Sequence, residues 1–187
     1  MNELSRPKNI LLGLTGSINL LNISPYITSI QNHFGCRMHI MMTPSAQTFI
    51  PASTLIHSID GSVFVDLTEK SGFKMPHVEL THWADAIVIL PASANTIAKT
   101  AQGFAQDIVS ATLLAADTPT IFFPSMYAGM WRKPSVQRNV EMLRKDGIMV
   151  YPSQNPSPEI IRSEASIIQG GSLPSPNEAC RFIAGYV

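Results

Sequence analysis

The sequence predicts a single α/β domain built on a mostly parallel, doubly wound sheet. Two observations carry this prediction: short continuous apolar runs recur along the chain, and segments with helical spacing lie between them. Apolar runs without polar alternation are typical of strands covered on both faces. Strands that alternate with helices favour a parallel sheet with helices on either side.

Five runs are predicted to be strands, over residues 9–14, 37–42, 86–90, 120–123 and 147–151. A helix is predicted between the last two, where Val136, Val140 and Leu143 recur at i, i+4 and i+7. Pro134 suits its first turn, and Gly147 follows a basic last turn as a stop signal. Another helix is expected to start near Ile97, and a last one is expected over 177–186.

Residues 152–176 break this pattern, with five prolines and two adjacent glycines. A long irregular insert in a compact domain is typically a lid, a binding loop or a disordered segment. The sequence alone leaves a mobile surface tail as an equal alternative.

The composition excludes several classes of function. A chain of 187 residues can bury one sizeable core, and its 13 Lys and Arg balance 13 Asp and Glu, so neither nucleic acid nor an anionic membrane is predicted as a partner. The apolar runs are far shorter than the roughly 18 residues of a membrane span, and no signal-peptide pattern is present, so a cytoplasmic location is expected. Cys36 and Cys180 have no metal-ligand spacing, so no metal site is predicted and both are expected in the core.

Small and polar residues collect where the predicted strands end. They are Gly16, Ser17 and Asn19 after the first strand, Thr43 and Ser45 after the second, and Pro91, Ala92, Ser93, Ala94, Asn95 and Thr96 after the third. Ligands of open α/β sheets bind at these carboxyl ends, and the hydroxyl and N–H groups at helix starts suit a phosphate. A mononucleotide cofactor is therefore predicted, although each loop alone is more often an ordinary turn. A classical dinucleotide fold and an ATPase are not predicted, because no complete G-x-G-x-x-G or P-loop is present.

Two further groups of residues are candidates for chemistry. Among five histidines, His77 lies just upstream of the third strand and is suited to proton transfer, whereas His33, His39 and His57 are assigned to surface or packing roles. Met126, Met130 and Trp131 follow the fourth strand. They either cap the core or form an apolar wall over a flat ligand, and their residue types alone favour the core.

Taken together, these segments resemble a known family. PASANT (91–96) and PSMYAGMW (124–131), with a histidine fourteen residues before the first motif, resemble the signature elements of homo-oligomeric flavin-containing cysteine decarboxylases. The resemblance spans about residues 9–151. It implies a flavodoxin-like, Rossmann-like subunit that binds FMN, or FAD, at a subunit interface of a homotrimer or homododecamer.

The resemblance also implies roles for individual residues. The loops of Ser17 and Ser45 would hold the flavin phosphate, residues 93–96 would contact the ring region, and His77 would be the active-site base. Tyr127 departs from the motif, which usually has asparagine there to bind the substrate carboxylate. Either Tyr127 takes over this role, or Arg132 or nearby backbone does, or the substrate sits differently.

The family has two branches, and the sequence favours one of them. Residues 152–176 contain no cysteine, whereas the coenzyme A branch, which decarboxylates phosphopantothenoylcysteine, is expected to have one there. We therefore expect oxidative decarboxylation of the C-terminal cysteine of a ribosomal precursor peptide to an enethiol, as in lantibiotic pathways. Residues 1–187 would form one flavoprotein domain, with 152–176 as a substrate clamp. Met126, Tyr127, Met130, Trp131 and Ile167 are the expected substrate contacts. A coenzyme A enzyme and an inactive flavin-binding regulatory or assembly subunit remain the alternatives.

Overall fold

A computed structural model describes residues 7–68, 72–152 and 173–187. Within these residues, six parallel strands form one sheet. The strands are β1 (Asn9–Leu14), β2 (Arg37–Met42), β3 (Val63–Phe64), β4 (Ala86–Ala92), β5 (Thr120–Pro124) and β6 (Met149–Val150). The predicted parallel, doubly wound α/β fold is confirmed.

The strand order is β3-β2-β1-β4-β5-β6. The chain therefore winds outward from β1 in one direction to β3, crosses back to β4, and winds in the other direction to β6. This is the order of the classical dinucleotide fold, which the missing glycine fingerprint had argued against. The sheet order depends on how the strands pack, whereas the fingerprint belongs to one loop, so the two features are separable. The crevice between β1 and β4 is the switch point at which such sheets bind ligands.

Nine helices accompany the strands in the described parts of the chain. They are α1 (Ser24–Phe34), α2 (Pro44–Gln47), α3 (Ala52–Leu55), α4 (Pro76–Trp83), α5 (Ala94–Ala101), α6 (Ile108–Ala115), α7 (Ala128–Trp131), α8 (Pro134–Lys145) and α9 (Pro176–Ala184). Two short 3-10 helices cover Ile18–Asn22 and Ile56–Ser58. In the part of the chain that the structure covers, no helix has the length and apolar character needed to cross a membrane.

The two faces of the sheet bury separate apolar cores. Along β1, Leu12 and Leu14 face the core under α1 and α9, while Leu11 faces the other core. That second core includes side chains of α5, α6 and α8, such as Ile97 and Val109. Because successive side chains of a strand point to opposite faces, a sheet covered on both sides needs apolar residues at most strand positions, as the apolar runs predicted.

The cysteines and one histidine have the packing roles expected of them. Cys36 and Cys180 are both buried in the core under α1 and α9, and burial raises the pKa of the Cys36 thiol to about 11. His39 stacks on Trp83 with ring centroids 4.0 Å apart, and its Nδ1 accepts a hydrogen bond of 2.8 Å from the Ser62 N–H. Burial, together with the Arg37 charge, lowers the pKa of His39, so the neutral ring is favoured as this acceptor.

The predicted bounds are correct for β1 and β2, and the structure corrects several others. The strand expected to end at Leu90 continues to Ala92, and β5 extends to Pro124. The strand expected over 147–151 is reduced to two residues, and β3 has no counterpart in the prediction. Two-residue strands at the edges of a sheet carry too short a pattern to be recognised. The last helix spans Pro176–Ala184 rather than 177–186.

A charged pair fixes the start of α6. Asp107 caps this helix, accepting hydrogen bonds from the Ser110 N–H at 2.9 Å and from the Lys99 ammonium at 2.8 Å. Burial raises the pKa of the Asp107 carboxyl, but the Lys99 and Ser110 hydrogen bonds outweigh this effect and leave the pKa below its usual value. The pair therefore connects α5 to α6 on one face of the sheet.

Replacing Asp107 with asparagine is expected to lower the free energy of unfolding by about 1–2 kcal/mol at neutral pH, because the cap remains but Lys99 loses its partner. The folded-state pKa of Asp107 lies below the unfolded one. Its contribution is therefore complete above about pH 4 and is lost as the pH falls through the folded-state value. Urea unfolding across this pH range measures the difference. Glu141→Gln, which removes an exposed pair with Arg144, is the control and should change little.

Candidate active site

The loops that leave β1 and β4 are joined through one buried threonine. The Thr15 hydroxyl donates to the Pro91 carbonyl oxygen at 2.7 Å and accepts from the Ser93 N–H at 2.8 Å. Thr15 is completely buried. Both hydrogen bonds connect parts of the chain more than seventy residues apart, so Thr15 sets the distance between the two walls of the crevice.

The segment PASANT is not a loop but a strand end, a cap and a helix start. Pro91 and Ala92 are buried in β4, so their side chains are enclosed in the sheet. Ser93 is the helix cap, and its hydroxyl accepts from the Thr96 N–H at 3.3 Å. Ala94, Asn95 and Thr96 form the first turn of α5, which starts earlier than the predicted Ile97. A single residue therefore makes the whole turn from strand to helix.

A second network joins the loop after β1 to the loop after β5. The Ser17 and Ser125 hydroxyls lie 2.7 Å apart, and the Asn19 side-chain amide donates to the Ser125 hydroxyl at 2.8 Å. Ser17 and Ser125 are both buried. The three side chains bring the first predicted cofactor loop against the second signature motif.

The loop after β2 completes this edge of the sheet. Gly16 lies so close to Ser45 that a Cβ atom at residue 16 would be 2.7 Å from both the Cβ and the Oγ of Ser45. Only glycine therefore allows the two loops to approach. Thr43 caps α2 by accepting from the Ala46 N–H at 3.2 Å, and its hydroxyl lies 3.3 Å from that of Ser45.

The donors at this edge fit a flavin phosphate. The residues that leave these four strands, 15–19, 43–45, 93–96 and 125–127, include no acidic or basic side chain. They present hydroxyl, amide and backbone N–H groups, which can bind an anion without a counter-charge. No carboxylate stands among them to repel a phosphate.

The second signature motif divides into buried and exposed side chains. Met126 and Trp131 are buried in the core, as the packing interpretation of this motif predicted. Tyr127 and Met130 are 49% and 46% exposed, which leaves them available as an apolar wall. The two interpretations of this motif therefore each apply to different residues.

His77 lies apart from these loops. It sits in the first turn of α4 and lines a cavity of about 330 Å³ with Val78, Leu67 and residues of α6 such as Ala111 and Leu114. None of the predicted cofactor residues lines this cavity. The His77 Nδ1 atom is buried, and no hydrogen-bond partner for it lies among residues 7–68, 72–152 and 173–187. The cavity that His77 lines is thus separate from the loops predicted to hold the flavin.

Comparison with known proteins identifies the family of this chain. The model of the flavoprotein family matches residues 1–187 of the chain. The chain belongs to the flavoprotein family. This flavoprotein is 41% identical over 145 residues to the mersacidin decarboxylase of Bacillus sp. (strain HIL-Y85/54728), covering 78% of this chain and 73% of the relative. It is 32% identical over 152 residues to the epidermin decarboxylase of Staphylococcus epidermidis, covering 81% of each.

Solved structures give the same result. MrsD from Bacillus sp. HIL-Y85/54728 superposes on this flavoprotein with a TM-score of 0.80 and 35% identity, covering 97% of both chains. SpaF, described as an FMN-dependent cysteine decarboxylase, superposes with a TM-score of 0.72 and 36% identity, covering 76% of this chain and 82% of SpaF. The resemblance drawn from the two motifs is therefore confirmed.

The coenzyme A branch is also related, but only in part. This flavoprotein is 34% identical over 149 residues to the coenzyme A biosynthesis bifunctional protein CoaBC of Bacillus subtilis, covering 79% of this chain and 36% of that protein. The decarboxylases of the peptide branch are thus matched over most of their length, and CoaBC over about a third.

Two residues that hold this edge together were not among the predicted site residues. Thr15 directly precedes Gly16, and Ser125 lies inside the second signature motif, but the prediction covers only their neighbours Gly16, Ser17 and Met126. A buried hydroxyl directly after an apolar strand is the signal that could have identified both. Ile167 and most of the proposed clamp, 153–172, lie outside the described residues, so their predicted roles stay predictions. Among the described residues, no group of acidic, cysteine and histidine side chains could hold a metal ion.

Replacing Thr15 with valine is expected to reduce the free energy of unfolding by about 2–3 kcal/mol, because the Pro91 carbonyl and the Ser93 N–H lose their buried partner. Thr15→Ser keeps the hydroxyl and should retain most of the stability. Urea denaturation of both variants measures the difference. Equal stability of the valine and parent proteins would show that the two loops hold their spacing without Thr15.

Proposed function

We propose that this flavoprotein decarboxylates the C-terminal cysteine of a ribosomally made precursor peptide, with FMN as its cofactor. The reaction removes CO2 and two hydrogen atoms from the cysteine and leaves an enethiol. The observation that carries the proposal is that both signature motifs are bonded to the loop after β1. Thr15 bonds to Pro91 and Ser93 of the first motif. Ser125 of the second motif bonds to Ser17 and Asn19. The mersacidin and epidermin decarboxylases, which match over most of their length, support the peptide branch.

The uncharged donors at the crevice would hold the cofactor. Gly16, Ser17 and Ser45 would bind the FMN phosphate, and Ser93 to Thr96 would line the ring region at the start of α5. When bound, FMN supplies the redox chemistry, while the protein binds and orients the peptide. The exposed Tyr127 and Met130 side chains then stand where a substrate would lie beside the ring.

His77 would act on a substrate bound beside the flavin of a neighbouring copy of the chain. Its Nδ1 is buried and has no hydrogen-bond partner among the residues that the structure describes, and the cavity beside it is lined by apolar side chains. The cavity is lined by the exposed Leu114, and two other exposed apolar residues, Met75 and Phe104, lie close to its lining residues in sequence. Exposed apolar side chains of this kind are typical of subunit contacts. A homotrimer or homododecamer would bring this surface to the crevice of the next subunit, so that His77 could move a proton at the substrate.

The first test is whether the purified protein binds flavin and acts on peptides. We expect a yellow protein with flavin absorbance, and a peptide ending in cysteine should lose the mass of CO2 plus two hydrogen atoms. Mass spectrometry of the peptide and absorbance of the protein measure the two outcomes. Phosphopantothenoylcysteine is the control substrate, and its turnover in place of the peptide would move the protein to the coenzyme A branch. Flavin binding without turnover of either substrate would instead indicate a regulatory or assembly subunit.

Two inactive variants should restore each other if His77 serves a neighbouring subunit. His77→Asn is expected to bind flavin without turnover, and Gly16→Val to lose flavin because its side chain collides with Ser45. Co-expression of the two should produce mixed oligomers with crevices that combine an intact flavin loop and an intact His77, so decarboxylation should reappear. Persistent inactivity of mixed oligomers that retain flavin would place His77 outside the shared site.

A further inference from the structure

A pocket other than the His77 cavity lies beside Tyr127, in the segment that follows β5. It has a volume of about 630 Å³ and is lined by Tyr127, Gly129, Met130, Arg132, Lys133 and Pro134. The first five belong to α7 and the turns at its two ends, and Pro134 is the first residue of α8. The pocket therefore starts two residues after Ser125 along the chain.

The shape of this pocket depends on Gly129. A Cβ atom at residue 129 would lie 2.7 Å from Cε1 and 3.1 Å from Cδ1 of the Tyr127 ring. The ring thus lies directly on the backbone of α7, and this contact gives the pocket one fixed aromatic wall. Gly129 is a positioning residue for Tyr127.

The charge of the pocket is positive and unbalanced. Arg132 and Lys133 are both exposed, and no acidic side chain is among the lining residues. In the described parts of the chain, the ion pairs join Lys99 to Asp107 and Arg144 to Glu141, so neither pocket cation is neutralised. Two adjacent cations beside an aromatic and a thioether side chain favour a peptide segment that carries a carboxylate.

We propose that this pocket binds an acidic side chain of the peptide substrate, a specificity that rests on the function proposed above. A side-chain carboxylate fits better than the terminal one. Loss of CO2 moves negative charge away from the terminal carboxylate, so a cation paired with that group would stabilise the ground state more than the transition state. A side-chain carboxylate keeps its charge throughout the reaction, so the pair contributes to binding without opposing the chemistry.

The length of α7 sets the position of the acidic residue. Ser125 bonds to the loop proposed to hold the flavin, so in the proposed site the terminal cysteine would lie at the Tyr127 end of the pocket. Arg132 lies at the other end of α7, about 7.5 Å further along at roughly 1.5 Å per residue. An extended peptide covers this distance in about two residues. The acidic residue therefore precedes the cysteine by about two positions.

Binding of synthetic peptides to the flavin-loaded protein tests this specificity directly. A peptide ending in Asp-Ala-Cys is expected to bind about two- to fivefold more tightly than one ending in Asn-Ala-Cys. The preference should disappear when Arg132 and Lys133 are both replaced by glutamine, and it should weaken with added salt because the charges are exposed. Arg138→Gln, an exposed cation on α8 outside the pocket, is the matched control and should retain the preference.

Peptides with an amidated C-terminus separate the two sources of carboxylate. If the aspartate preference persists in amidated peptides, the pocket binds the side chain, as proposed. If the double glutamine variant weakens only peptides with a free C-terminus, the pocket binds the terminal carboxylate and the proposal is wrong. Equal affinity of the parent protein for the aspartate and asparagine peptides would also overturn it. Turnover is measured separately, so an inactive protein that still prefers aspartate contradicts the proposed reaction and not this specificity.

Discussion

The hydrogen bonds of Thr15 are the interaction on which the whole site depends. The sheet reverses its winding direction between β1 and β4, and neighbouring loops diverge at such a point, which opens a crevice. The distance between two diverging loops is not fixed unless a contact joins them. One hydroxyl that donates to Pro91 and accepts from Ser93 supplies that connection. The cap at Ser93, the start of α5 and the position of the Ser17 loop all follow from it.

Around this point, neighbouring loops are matched by size and hydrogen bonding rather than by charge. Gly16 is small enough for Ser45 to approach, and Ser125 bonds to Ser17 and Asn19. Charged residues lie further along the chain, at Arg132 and Lys133 after α7 and at the Lys99–Asp107 pair, which joins α5 to the start of α6. The residues proposed to hold the cofactor and those proposed to bind an acidic peptide side chain thus differ in charge.

The sequence pattern was sufficient for the sheet and for the family, and it failed elsewhere for identifiable physical reasons. Continuous apolar runs located β1 and β2 with correct bounds, because most positions of these two strands are buried and carry apolar side chains. The end of β4 was misplaced because Pro91 usually interrupts a strand, whereas here the pairing with β5 shifts register between Ile89 and Ala92 and continues beyond it. The pattern does not predict the role of Thr15, because a threonine beside a glycine is also typical of an ordinary turn. Spacing along one sequence could not locate His77 relative to the flavin site, because the contact proposed for it is between two copies of the chain.

The absence of charge from the four site loops has a consequence for the order in which the protein is assembled. A cluster of lysines or arginines gathered to bind a phosphate repels itself until the ligand arrives, and the empty site is then held open at an electrostatic cost. Hydroxyls and amides instead satisfy one another, as Ser17, Ser125 and Asn19 do. The loops proposed to hold the flavin can therefore reach their final arrangement without it, and cofactor binding would then be a late and reversible step that follows folding.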